Sequence, residues 1–293
     1  MEKMTVLEKH GFAGLNRWPN YEKLAEPNAI RDYFMNGYAP EKKIISKETV
    51  ITAFGSCFAG NVSRYLTAKG YTVNAHDWDH NLSDLIRIDE IMVHTPALRA
   101  QFEWAFEDRE LGSIFIGTAE EKAKTYHCME QCKAMIQNTD FFIITLGLTE
   151  AWYDKLNQQY LWKFVPNRKL DPERFENRFV SFTENMENLQ KIYRLIRQHT
   201  PNATIVMTLS PIPLLGSYHG KSVIAANTAS KATLRAVLHE FLTAKNDDNM
   251  FYFPSYELVN FFLQNQWQID FRHITPEAVE QVMHIFDDYY LQD

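Results

Sequence analysis

The chain has 293 residues, 45% hydrophobic and 23% charged, enough apolar material for one large or two small domains and too much for a disordered chain. Lys plus Arg number 30 against 37 Asp plus Glu, a net charge of −7, so there is no bulk attraction for nucleic-acid phosphates or anionic lipid. Three cysteines, Cys57, Cys128 and Cys132, are too few and too odd a set for a secreted disulfide scaffold, and Cys128 and Cys132 read as two packed thiols on one helix.

The N-terminus scatters charges through its first ten residues and has no apolar core, so it does not read as a signal peptide. No stretch approaches the roughly 18 apolar residues of a membrane span. The expected location is cytoplasmic. Residues 1–40 carry the turn-rich words Arg17-Trp18-Pro19-Asn20 and Asn36-Gly37-Tyr38-Ala39-Pro40. They are expected to form an extension packed on a main domain over 41–293.

The main domain alternates strand and helix signals. Thr49–Phe54 is a β-branched run ending at Gly55, followed by a helix over Ala59–Lys69 closed by Gly70. Tyr71–Asn74 reads as a short second strand, and Thr95-Pro96 opens a helix through about Phe106. Phe141–Leu146 is a third strand. Ser181-Phe-Thr-Glu184 is a capping box before a helix with Met186, Leu189, Ile192, Leu195 and Ile196 on one stripe. Ala203–Leu209 is a fourth strand, a long helix lies within Ala225–Ala244, and Met250–Phe253 is a fifth strand. Thr275-Pro276 caps a last helix ending near Leu291. Short apolar runs separated by helices predict a parallel sheet covered on both faces, with ligands at the C-terminal strand ends.

The chemistry-bearing residues fall at those ends. Ser56 follows the first strand and precedes a helix, where free N–H groups and the positive dipole end can meet a developing oxyanion. The plainer reading of Ser56 is an N-cap. Asp270-Phe271-Arg272-His273 precedes the last helix, and Asp270 is close enough in a turn to orient the His273 imidazole. The plainer reading there is an exposed loop histidine. His76-Asp77-Trp78-Asp79-His80 has metal-ligand residue types but no regular element to fix them, so a polar loop near the site mouth is expected and no metal is assigned. Lys231 and Arg235, one turn apart, read as a solvated face or an anionic contact.

Ser56 and Asp270-x-x-His273 together have the layout of the SGNH hydrolases. Gly55-Ser56-Cys57-Phe58-Ala59 spells the signature of the GSCFA family, which resembles them. The resemblance extends through Thr145–Trp152, Leu209–Leu214, Asn227 with Ser230–Arg235, and Tyr252–Glu257, over roughly Val50 to Phe286. It implies a flavodoxin-like three-layer sandwich with a mainly parallel five-stranded sheet. It also implies Ser56 as nucleophile, His273 as general base and Asp270 as its partner. SGNH enzymes take oxyanion donors from the nucleophile's own N–H, a Gly after the second strand and an Asn after the third. Here Thr149 stands where the Asn would be, beside Gly147 and Glu150, and Cys57 follows the nucleophile. Gly112 and Gly117 are candidates for the Gly donor by position, and His94-Thr95-Pro96 is an equal candidate for that wall. His94, Thr95, Asn227 and Lys231 are carried as substrate-binding candidates.

The expected activity is a serine-dependent ester hydrolase or O-acyltransferase acting on O-acyl groups, acetyl above all, of a carbohydrate. No cofactor is expected, beyond an acyl donor such as acyl-CoA if the reaction is a transfer. The rival expectations are a non-catalytic small-molecule or carbohydrate-binding protein using the same pocket and a metal-dependent phosphoesterase built on His76–His80.

Overall fold

The computed structural model describes residues 15–74, 93–107, 129–161, 171–220 and 222–292, without the Cys57 side chain. Two units divide the chain, Met1–Tyr38 and Ala39–Asp293. In the first, Asn20 caps a short helical turn, Tyr21–Leu24, by accepting from Lys23 N at 2.9 Å, and a wider turn of π type covers Ile30–Met35.

The second unit starts with β1 (Ile51–Phe54) and reaches β2 (Phe141–Leu146) through helices α1 (Cys57–Ala68), α2 (Thr95–Glu107) and α3 (residues 129–137). An antiparallel excursion follows, made of β3 (Glu150–Asp154), β4 (Gln159–Tyr160) and β5 (Phe175–Phe179). The chain then runs α4 (Phe182–His199), β6 (Thr204–Leu209), α5 (Val223–Lys245), β7 (Met250–Tyr252) and α6 (Pro276–Tyr290). The main sheet is parallel, in the order β1-β2-β6-β7, with Phe54 opposite Ile144, Ile144 opposite Met207 and Val206 opposite Phe251. The residues of β1 and β2 are buried without alternation, because helices leave neither face of a parallel sheet to water.

Among the described residues the parallel sheet has four strands and a bridge. Beyond β1, Val73 makes a single parallel bridge to Ile51, with Ile51 N donating to Thr72 O and Asn74 N to Ile51 O, both at 2.9 Å. The chain leaves α1 through Gly70, at φ +78°, and its backbone pairs with β1 only at Ile51, so no ladder builds among the described residues, while Asn74 Nδ2 donates to Thr52 Oγ1 at 2.8 Å. The excursion β3–β5 was not expected. The helix ends follow the sequence signals: Ser181 and Glu184 complete a capping box on α4, and Thr275 caps α6 with Pro276 next.

α1 packs on β1 and β2 and meets α6, while α4 lies between α2 and α5. Aromatic rings fill the core under β1, with Phe54 and Phe102 centroids 5.5 Å apart and Phe142 6.4 Å from each. The C-terminal ends of β1, β2 and β6 are thereby fixed side by side, and the loops leaving them form the candidate site.

Candidate active site

Ser56 is presented by a tight exit from β1. Gly55 has φ +135°, and a Cβ there would lie 2.0 Å from Thr145 O, so only glycine lets β1 pass this close to β2. Ser56 then takes an extended conformation as N-cap of α1, its Oγ accepting from Phe58 N at 3.2 Å and its side chain largely covered. The cap and the candidate nucleophile are thus the same hydroxyl, held at the positive end of a twelve-residue helix.

The loop after β2 is pinned on every side. Gly147 N and Leu148 N donate to Val93 O at 2.9 and 3.0 Å. A Cβ on Gly147 would come within 3.0 Å of Val93 Cβ and O, which explains the glycine. Thr149 N donates to Ser230 Oγ at 2.8 Å, and Thr149 O accepts from Val180 N at 2.8 Å. Its backbone is thus fixed at both ends, and the residue is 1% exposed. Gly147, expected among the oxyanion or substrate residues, has its N–H engaged by Val93 and its carbonyl by Lys231.

Lys231 lies beneath this loop, 2% exposed. Its ammonium donates to Gly147 O and Ser210 O at 2.7 Å and to Ile212 O at 2.8 Å. One cation thus ties the loop after β2 to the loop after β6. An ammonium has three protons, and all three are engaged, so the expected anion or substrate contact at Lys231 is corrected to a buried staple. Burial pushes its pKa down to about 7, with the nearby Arg272 charge acting in the same direction. Asn227, one turn earlier, accepts from Leu214 N at 3.1 Å through Oδ1 and holds the same loop. Arg235 pairs with Glu257 at 2.7 Å instead of sharing an anion with Lys231.

Asp270 and His273 meet at the tip of a turn based on the Trp267–Ile274 bridge. Asp270 Oδ1 accepts from Arg272 N at 3.1 Å and His273 N at 3.0 Å, and Oδ2 faces His273 Nδ1 at 2.5 Å. Phe271 between them takes φ +54°, the left-handed turn conformation. The His273 backbone N–H, its ring and the Arg272 N–H hold the Asp270 carboxyl down to about 2, so it is ionised across the neutral range. Arg272 Nη1 lies 2.8 Å from His273 Nε2, while Arg272 Nε donates to Pro213 O at 3.1 Å. A guanidinium only donates, so Nε2 is the accepting nitrogen and Nδ1–H points to Asp270. That is the tautomer a general base requires, with its lone pair covered by Arg272 in this state. Both ring and carboxylate are nearly half exposed. Among the described residues, Ser56 Oγ and His273 Nε2 are hydrogen-bonded to Phe58 and Arg272, not to each other.

The other expected residues separate by role. His94 is buried at the start of α2, its Nδ1 accepting from Ala97 N at 3.2 Å, and burial lowers its pKa to about 4, leaving a neutral ring. Thr95 donates to Asn185 Oδ1 at 2.7 Å and accepts from Asn188 Nδ2 at 3.0 Å, so its hydroxyl joins α2 to α4 and its expected substrate role is corrected. The Cys57 side chain, His76–His80, Gly112 and Gly117 lie outside the described residues. Among the described residues no group of three or more His, Cys, Asp or Glu could hold a metal, and no helix is long and apolar enough to cross a membrane. Sequence reasoning missed Arg272 and the inward turn of Lys231. The signal for the latter was present: Lys231 shares a helical stripe with the buried Leu234, Leu238 and Phe241.

The family model described as the GSCFA family matches residues 50–286. The chain belongs to the GSCFA family. Its match begins one residue before β1 and ends within α6, so the glycine exit, the Lys231 staple and the Asp270–His273 turn all lie in the GSCFA region. Comparison with curated proteins finds no match. Among solved structures, this GSCFA chain is similar to a Clostridium thermocellum family 3 carbohydrate esterase, at 12% identity, covering 84% of this chain and 95% of that one with a TM-score of 0.38. A carbohydrate esterase family 3 structure from Talaromyces cellulolyticus aligns at 11% identity over 82% and 95% of the two chains, TM-score 0.36. An acetyl xylan esterase from Butyrivibrio proteoclasticus aligns at 10% identity over 84% and 64%, TM-score 0.36.

Proposed function

We propose that the chain is a serine-dependent ester hydrolase or O-acyltransferase acting on O-acyl groups, acetyl above all, carried on a carbohydrate. The observation that carries this reading is the Asp270–His273 pair in the base-competent tautomer, tied through Arg272 and Pro213 to the sheet edge that presents Ser56 on a helix N-terminus. Arg272 turns off Nε2 when substrate enters. Ser56 Oγ attacks the ester carbonyl, His273 Nε2 takes the hydroxyl proton, and Asp270 stabilises the imidazolium. The oxyanion is met at the start of α1 and by the Thr149 hydroxyl. His273 returns the proton to the leaving alkoxide, or to the leaving thiolate where the donor is acyl-CoA, and the acyl-enzyme is resolved by water or by a second hydroxyl, the latter outcome being transfer.

Ser56→Ala is expected to lower turnover of p-nitrophenyl acetate by several powers of ten and to abolish labelling by a fluorophosphonate. Wild-type turnover in the Ala variant would remove Ser56 as nucleophile. The covered lone pair of His273 favours one second reading, a binding protein using the same pocket. In that case the wild-type serine stays unlabelled.

A further inference from the structure

Glu150 opens β3 directly after Thr149 and is 7% exposed. Its Oε2 accepts from Tyr218 N at 3.3 Å, while Oε1 is buried with no hydrogen-bond partner. Across from it, His219 Nε2 is also buried without a partner and lies 4.0 Å from Glu150 Oε2, too far for a direct hydrogen bond. Tyr218 and His219 belong to the loop after β6, the same loop that Lys231 and Arg272 tie to the site. The start of β3 and the loop after β6 therefore bring a carboxylate and an imidazole together with a gap between them.

The walls of the gap are aromatic. Trp152 backs onto Leu161 and Phe175 and meets Tyr218 edge to face at 4.8 Å, with Tyr218 53% exposed. Phe179 stacks on the His219 ring at 4.2 Å and fixes its plane. Buried polar atoms left unpaired are rare in native proteins, because desolvating them without a partner is unfavourable. With the His219 proton on Nε2, the group that satisfies both donates to the carboxylate and accepts from the ring N–H at once. A hydroxyl does that, and a cation or an anion does not.

We infer that Glu150 and His219 form a hydroxyl-binding subsite that receives the sugar portion of a carbohydrate ligand, with Trp152 and Tyr218 as the apolar platform beneath it. The inference rests on the esterase reading for what the sugar does there, since its ester is the group Ser56 would attack. Its binding chemistry does not depend on turnover. A hydroxyl between a carboxylate and an imidazole makes one charge-assisted hydrogen bond and one neutral one, while ring faces of Trp and Tyr cover the apolar face of a pyranose.

The test is therefore a binding measurement on the Ser56→Ala protein. The methyl pyranosides of glucose, xylose, galactose, mannose and N-acetylglucosamine are titrated singly, with saturation-transfer NMR as the readout. At least one is expected to bind, and to lose tenfold or more in affinity in Glu150→Gln. His219→Phe keeps the stack on Phe179, removes the donor and is expected to show a comparable loss, which covers the case in which the Glu150 variant does not fold. Melting curves confirm that each variant is folded. Absence of binding by all five sugars, or unchanged affinity in a folded variant, would overturn the subsite and assign the gap to water. Failure of p-nitrophenyl acetate turnover with sugar binding intact would instead count against the esterase reading alone.

Discussion

Ser56 and His273 stand on supports of different kinds. Ser56 leaves a fully buried strand through a glycine wedged against Thr145 O and enters a twelve-residue helix, so its place is set by the sheet. His273 stands on a half-exposed turn held by Asp270 and by an arginine reaching to Pro213 O. The nucleophile end is determined by buried packing and the base end by hydrogen bonds on an exposed turn. Damage at the first should appear as lost stability, and damage at the second as altered rate in a folded protein.

Gly55→Ala is the strongest way to test the first half. The added Cβ meets backbone, at a φ that alanine rarely adopts, so a loss of about 3 kcal/mol or more is expected. A thermal melt lowered by less than a few degrees would mean that the β1 exit is not the anchor. Lys231→Met is expected to follow closely, because three buried carbonyls lose their donor and each unsatisfied group is worth about 1–3 kcal/mol, partly offset by removal of a buried charge.

Lys231 also gives a pH dependence with a defined sign. As pH rises through about 7 the native ammonium loses its proton, while the unfolded chain keeps its own until near 10.5. The unfolded state then binds more protons, so wild-type stability should rise relative to Lys231→Met between those values. Denaturant midpoints at a series of pH values check this. A flat difference would mean that the three carbonyls keep Lys231 charged throughout.

Thr149→Val sharpens the boundary between the two regions, since its backbone belongs to the pinned loop and its hydroxyl to the proposed chemistry. One oxyanion donor is worth about 10²–10³ in rate, and the acylation rate should fall by a large part of that with little change in melting temperature. A normal rate with a lowered melt would place the hydroxyl in the fold instead. The smallest effect is expected at Arg272→Gln. Freeing His273 Nε2 of one hydrogen bond, a net of about 0.5–1.5 kcal/mol, should raise kcat/KM for p-nitrophenyl acetate roughly two- to twelvefold. A decrease would show that the Pro213 tie outweighs the covered lone pair.

The sequence exposed what local chemistry encodes. Buried strands appear as unbroken apolar runs, the caps at Ser181 and Thr275 appear as polar words, and the Gly55–Ala59 signature marks the exit from β1. The same logic failed where partners come from afar. Lys231 looks like a solvated cation until three carbonyls from two other loops surround it. Thr95 looks like a ligand group until Asn185 and Asn188 occupy its hydroxyl. The excursion was illegible because Glu150–Asp154 and Phe175–Phe179 mix polar and aromatic residues without the apolar runs of the main sheet. Tyr71–Asn74 erred the other way: strand-like residues pair only where a neighbour runs beside them, and here one bridge is all that forms among the described residues.

That excursion departs at Glu150 and returns at Phe179, and these two residues face each other across β3 and β5. Val180 N then closes on Thr149 O at 2.8 Å, so the exit and re-entry points touch. A segment whose ends already meet can change length or sequence without moving the strands on either side, since closing it asks nothing of the main sheet. Glu150, Trp152 and Phe179 all ride on it. The parallel sheet and the Ser56 exit can therefore stay constant while the excursion is exchanged, which makes it an interchangeable part for grafting between relatives.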